Sequence, residues 1–81
     1  RMLSAVQTAS EIKRIINGDP TILESDHIHV SAEKKGFLFF KKEEIRIGGS
    51  VHHDTDKRKA EDVARHYAGG RQLVSEIKVI H

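Results

Sequence analysis

The chain has 81 residues, of which 32% are charged, 37% apolar and 5% aromatic, the composition of one soluble domain with a single modest core. Fourteen Lys and Arg against twelve Asp and Glu give a net charge of +2 with the signs interspersed, so no whole-domain field is set up that would draw in duplex DNA or another polyanion. The longest apolar run, Phe37 to Phe40, is far short of the roughly 20 residues that cross a bilayer as a helix, and the absence of cysteine removes disulfide staples, thiol chemistry and thiolate metal sites while leaving the compartment open.

The first periodic segment runs from Leu3 to Ile16. Val6, Ala9, Ile12 and Ile16 recur three or four apart, with Leu3 and Ile15 beside them, as in a helix that buries one side. Ser4 is the expected N-cap, with Gln7 three residues on as in a capping box. Asn17-Gly18 is expected to supply a left-handed terminal residue, and Pro20 cannot carry the helix further. His27-Ile28-His29-Val30 then alternates, which predicts a short half-buried strand with Ile28 and Val30 inward and both histidines outward. Lys34-Lys35-Gly36 reads as a turn, Phe37 to Phe40 as a run too short for a helix, and Glu44-Ile45-Arg46-Ile47 as an alternating strand that Gly48-Gly49 interrupts.

Asp54, Thr55 and Asp56 are N-cap candidates for a second helix, whose apolar side carries Ala60, Val63, Ala64 and Tyr67 and which Gly69-Gly70 closes. Leu73 to Ile80, with Ile77 and Val79 alternating with Glu76 and Lys78, reads as a final strand that docks the C-terminus. No repeat, low-complexity tract or proline-rich linker divides the chain, so residues 1–81 are expected to form one domain. The opening Arg1 and the lack of a signal-peptide pattern suggest a domain excised from a longer protein, any export signal or lipid anchor lying outside it. The predicted fold class is α+β: a small single-layer mixed sheet packed against two helices on one face, in the order αββαβ, with one extra strand or a long hairpin at residues 34–47.

Catalysis would need a nucleophile with a base, paired carboxylates or a metal site, and no convincing set of this kind is present. Six histidines invite a metal reading, since His27 and His29 sit at the i, i+2 spacing that places two imidazoles on one strand face, with His52-His53 as further ligands. Against this, adjacent residues such as His52 and His53 point to opposite sides of a strand, and histidines on a solvated face need no ion. Glu43-Glu44 and Glu61-Asp62 read as surface charge, and Asp62 with His66 as a helical i, i+4 pair. The glycine pairs lack a Walker lysine or a three-glycine fingerprint and read as backbone turns. The chain also lacks the basic G-x-x-G loop that a KH-like RNA binder would need. The expectation is a protein without catalytic residues, bound metal, cofactor or nucleic-acid partner.

The run Ile45-Arg46-Ile47-Gly48-Gly49-Ser50-Val51, then a helix with alanines and charged faces at Lys57 to Ala68, then Gly69 and a last alternating strand, is similar to the BON domain family. The resemblance covers roughly residues 8 to 80. An aliphatic alternation leading to glycine and valine is matched by Ile45, Ile47, Gly49 and Val51, and the final strand by Leu73, Ser75, Ile77 and Val79. Upstream, Glu11-Ile12 through Asp19-Pro20 and Ile28-His29-Val30 resemble the family's opening helix and first strand. Gly70 and Ser75 depart from the valine and asparagine usual there, and Ser31 to Glu44 is longer than the family's connection. Glycine inside a strand lets the backbone bend or a neighbour approach closely, and Gly49 and Gly69 are expected to be structural glycines. The resemblance implies a non-catalytic, phospholipid-associating or partner-docking module of a bacterial envelope protein, periplasmic or outer-membrane associated, of the kind found in secretin and osmotic-stress proteins.

The extra length holds Lys34-Lys35-Gly36-Phe37-Leu38-Phe39-Phe40-Lys41-Lys42, which sets three of the four aromatic residues between two lysine pairs. If exposed, these rings would insert into a membrane interface while Lys34, Lys35, Lys41 and Lys42 met anionic headgroups, with Phe37 and Phe40 as anchors. The alternatives are a hairpin strand that packs Phe37 and Phe39 into the core while Leu38 and Phe40 cover its other face, and an edge that pairs with another chain. The resemblance implies two functions for such a segment. One is association with a phospholipid surface; the other is a structural or protein-interaction role in assembling a larger envelope protein, through exposed strand backbone.

Overall fold

A computed structural model describes residues 4–37 and 40–81, with backbone alone at Phe37, Phe40 and Lys41. Helix α1 (Ala5–Gly18) leads through a short 3-10 turn (Ser25–His27) into β1 (Ile28–Phe37) and β2 (Phe40–Val51), followed by α2 (Asp54–Tyr67) and β3 (Gln72–Val79). The strands form one sheet in the order β1-β2-β3. β1 is antiparallel to β2 from Ile28 opposite Gly49 to Phe37 opposite Phe40, and β3 is parallel to β2 from Glu44 beside Gln72 to Val51 beside Val79. The fold is therefore α+β in the order αββαβ, and the segment around residues 34–47 belongs to a long hairpin rather than to an additional strand.

α1 begins with the expected capping box: Gln7 N–H donates to the Ser4 hydroxyl at 3.2 Å and Ser4 N–H to the Gln7 side chain at 3.0 Å. Its buried side is Ala5, Thr8, Ala9, Ile12 and Ile16, turned slightly from the predicted stripe. Ala5 is inward and Val6 is 67% exposed. The helix does not end on a left-handed Gly18. It ends on Asp19, whose backbone is extended and whose carboxylate accepts from Thr21 N–H and Oγ1 at 2.9 and 2.6 Å, turning the chain into the connector without a positive φ.

Lys34-Lys35-Gly36 is strand, not turn. The alternation of β1 continues past Val30 through Ala32 opposite Ile45 and Lys34 opposite Glu43, so the reversal falls beyond Phe37. Gly48 and Gly49 likewise lie within β2 instead of interrupting it. Gly49 has φ 125°, and a Cβ there would run into the His27 carbonyl oxygen; only glycine lets the start of β1 lie so close to β2. Gly69, at φ 69°, takes the left-handed position that follows α2 and its C-cap Ala68.

The apolar core lies on one side of the sheet. Ile45, Ile47 and Val51 of β2, Ile28 of β1 and Ile77 of β3 meet Ile12 and Ile16 of α1, Ile22 of the connector, and Ala60, Ala64 and Ala68 at the back of α2. Among the described residues every buried apolar side chain is Ile, Val or Ala. Alanines four apart let α2 sit close to the sheet, and stiff β-branched side chains fill the layer in few rotamers. Tyr67, expected on the inward stripe, is 46% exposed, and Ala68 fills that position instead. His53 is the N-cap residue of α2 and makes no side-chain cap. Asp56, a cap candidate from sequence, is fully buried and accepts from the backbone N–H groups of Leu23 and Glu24 at 3.1 and 3.0 Å. It fastens the α1–β1 connector onto α2.

Candidate functional site

β3 reaches only as far as Glu44, whereas β1 and β2 continue pairing through the Phe37–Phe40 rung. The four rungs from Lys34–Glu43 outward therefore form a two-stranded arm that extends about 13 Å beyond the three-stranded sheet. Between Lys34 and Lys42 the sequence carries four lysines and no acid. Lys34, Lys35 and Lys42 are exposed, and Lys35 and Lys42 face each other on the helix-free side of the arm. Leu38 and Phe39 lie outside the described residues, as do the side chains of Phe37, Phe40 and Lys41.

The base of the arm is held by charge. Arg71, just before β3, donates to the Glu43 carboxylate and to the Thr8 hydroxyl, both at 3.3 Å, tying the stem to α1. Beside it a cleft of about 170 Å³ separates the first turn of α1 from the hairpin, lined by Ala5, Val6, Ala32, Lys34 and Glu43 among others. On the helix-free face Arg46 is the hub. Its guanidinium lies 2.7 Å from Glu44, 3.4 Å from Glu33 and 2.9 Å from Glu76, so all three strands supply it with a carboxylate. The Glu44 hydrogen bond and the surrounding carboxylates hold the Arg46 pKa above its ordinary value. Glu44 is 6% exposed, which corrects its reading as plain surface charge. Lys35 also lies 3.9 Å from Glu33 and 4.0 Å from Glu44.

The histidines are dispersed by the fold. His27 belongs to the 3-10 turn, not to β1, and so does not share a strand face with His29. Its Nδ1 lies 3.1 Å from the Glu24 carboxylate and 3.2 Å from the Ser50 carbonyl. His52 Nδ1 approaches the same carboxylate at 2.9 Å, and His52 N–H donates to it at 2.6 Å. These bonds, the backbone one foremost, hold the Glu24 carboxyl below its usual range. His29 lies over Gly48, where a Cβ would stand 2.7 Å from its Nε2. Among the described residues no group of three or more His, Asp or Glu side chains is arranged to hold a metal ion. Asp62 bonds Arg65 at 2.6 Å instead of the expected His66, which packs edge-on against Tyr67.

Comparison with protein-family models, with curated proteins and with solved structures found no match. The chemistry of the site therefore has to be argued from its residues. Arg46 and Arg71 organise the base of the arm, while Glu24 and Asp56 hold the connector at the opposite end of the sheet, and sequence reasoning passed over the roles of all four. Only Arg46 had a usable signal: its place between Ile45 and Ile47 puts a lone cation on the polar face of a central strand, where it must find carboxylates.

Proposed function

We propose that this domain is a non-catalytic binding module that associates with anionic phospholipid surfaces through the β1–β2 arm. The observation that carries the reading is the arm itself: a ribbon reaching past β3, with exposed lysines on both strands and a sequence at its end rich in phenylalanine. A cation near an anionic bilayer contributes about 1 kcal/mol, and apolar groups beside such cations add burial at the headgroup boundary. The Glu43–Arg71–Thr8 bonds brace the stem, so the arm is presented as a preformed element. The resemblance of the sequence to BON domains supports the same reading and, with it, a location in the bacterial envelope, periplasmic or at the outer membrane.

A second reading, a structural module in the assembly of a larger envelope protein, is favoured by the two open edges of the sheet. Co-sedimentation with vesicles that contain or lack anionic lipid, at low and high salt, separates the two. The membrane reading expects salt-sensitive binding that is lost when Phe37 and Phe40 are changed to serine, with the far-UV circular dichroism spectrum unchanged. Failure of the wild-type domain to bind either vesicle at low salt would remove that reading.

A further inference from the structure

β3 pairs with β2 on one side, and among the described residues no strand lies on its other side. Ile80 N–H donates to the Val51 carbonyl at 2.7 Å, so the backbone of Ile80 is turned toward β2. In a parallel pair, residues that present their N–H and C=O to the neighbour alternate with residues that present them away from it. Counting back from Ile80, the backbone groups of Val79, Ile77, Ser75 and Leu73 face outward along an open rim. The opposite edge of the sheet is blunted at its start, where the Lys13 ammonium of α1 donates to the carbonyls of Ser25 and Ile28.

The side chains along β3 carry a matching pattern. On the helix-free face they are Val74, Glu76 and Lys78, in register with Arg46, Gly48 and Ser50 of β2, and Ile80 follows them, 45% exposed. Lys78 is exposed and has no ion pair among the described residues. From this pattern we infer that the partner of β3 is β3 of a second copy of the chain, paired antiparallel about a two-fold axis at Ile77 to give one six-stranded sheet. In such an isologous pair the two strands read each other in reverse. The outward backbone of Ile77 meets its own copy, and Ser75 meets Val79.

Charge fixes the register. Centred on Ile77, Glu76 of each copy lies opposite Lys78 of the other, and Val74 lies opposite the exposed Ile80, each pair occurring on both sides of the axis. Centring on Glu76 or on Lys78 would oppose like charges, which destabilises a cross-strand pair. Centring on Ser75 would set Glu76 against Val74 and lose both ion pairs. The rim is the edge of an eight-residue strand, short of a permanent interface, so association is weak and concentration-dependent. The pairing is independent of the membrane reading, leaves the arm free, and supplies the assembly reading with a specific partner.

Sedimentation equilibrium of the domain from low micromolar to millimolar concentration tests it. A monomer–dimer equilibrium is expected. Lys78→Glu should raise the dissociation constant by at least about tenfold with the circular dichroism spectrum and vesicle binding of the wild type. An equimolar mixture of Lys78→Glu with Glu76→Lys should associate again, since the acidic rim of one then faces the basic rim of the other. A domain that stays monomeric at millimolar concentration overturns the inference, and so does a dimer indifferent to Lys78→Glu. If Glu76→Lys, which also removes an Arg46 partner, does not fold, the single Lys78→Glu comparison decides.

Discussion

Replacing Asp56 by alanine removes the side chain whose hydrogen bonds tie α2 to the connector between α1 and β1. Two backbone N–H groups, those of Leu23 and Glu24, lose a charged acceptor at 3.1 and 3.0 Å, and Asp56 itself is fully buried. A hydrogen bond to a charged group contributes about 1.5 kcal/mol or more, and a partly buried donor left without a partner adds to the loss. The expected cost is about 3 kcal/mol. A domain of this size has a total stability of only about 4–12 kcal/mol, so a quarter or more of it disappears, which corresponds to a fall in Tm of about 12–24 °C. Thermal and urea unfolding followed by far-UV circular dichroism measure this directly. Asp56→Asn, which keeps one acceptor oxygen, should fall between the wild type and Asp56→Ala. An alanine variant less than about 1 kcal/mol below wild type would refute the clamp and mean that Ile22 packing and the Glu24–His52 bonds hold the connector without it.

Gly49→Ala should be worse still, because φ 125° excludes a side chain and the new Cβ meets the His27 carbonyl; a loss above about 3 kcal/mol or failure to fold is expected, and a native-like melt would show that the β1–β2 spacing is more yielding than it looks. Glu24 gives a pH signature. The His52 backbone and imidazole bonds keep its folded pKa below the ordinary 4.5, so its contribution is complete above that value and vanishes as pH falls through the folded one. Glu24→Gln should therefore be less stable than wild type at about pH 6, and the two should converge as pH falls below the folded pKa of Glu24; parallel stability–pH curves would exclude a role for the carboxylate.

Much of the fold was legible because its signals are local and periodic. The Ser4–Gln7 capping box, the Ile12 and Ile16 stripe, and the Ile45, Ile47 and Ile77 alternations each follow from residues a few positions apart. What stayed hidden depends on partners distant in sequence. An aspartate near a helix start reads the same whether it caps or turns inward, and only the arrival of Leu23 and Glu24 makes Asp56 a buried clamp. Lys34-Lys35-Gly36 resembles a turn in composition, yet strand pairing opposite Lys41-Lys42-Glu43 outweighs that preference. The Glu24–His27–His52 and Arg71–Glu43–Thr8 contacts join segments with no shared motif, which no spacing within one segment could announce.

The central position of β2 also sets an order in which the sheet can be assembled and taken apart. The antiparallel rungs near Phe37 and Phe40 close chain segments of only a few residues, whereas every parallel rung joins residues 28 apart, as from Glu44 to Gln72. Loop closure costs more for the longer separation, and the parallel pair has to wait for α2 to cross over the sheet. The hairpin can zip early, and β3 is the last strand to arrive and the first that a partial opening releases. Such an opening would lift Ile77 and Val79 off the core and bare the second edge of β2, while the hairpin and its contacts with α1 stayed paired.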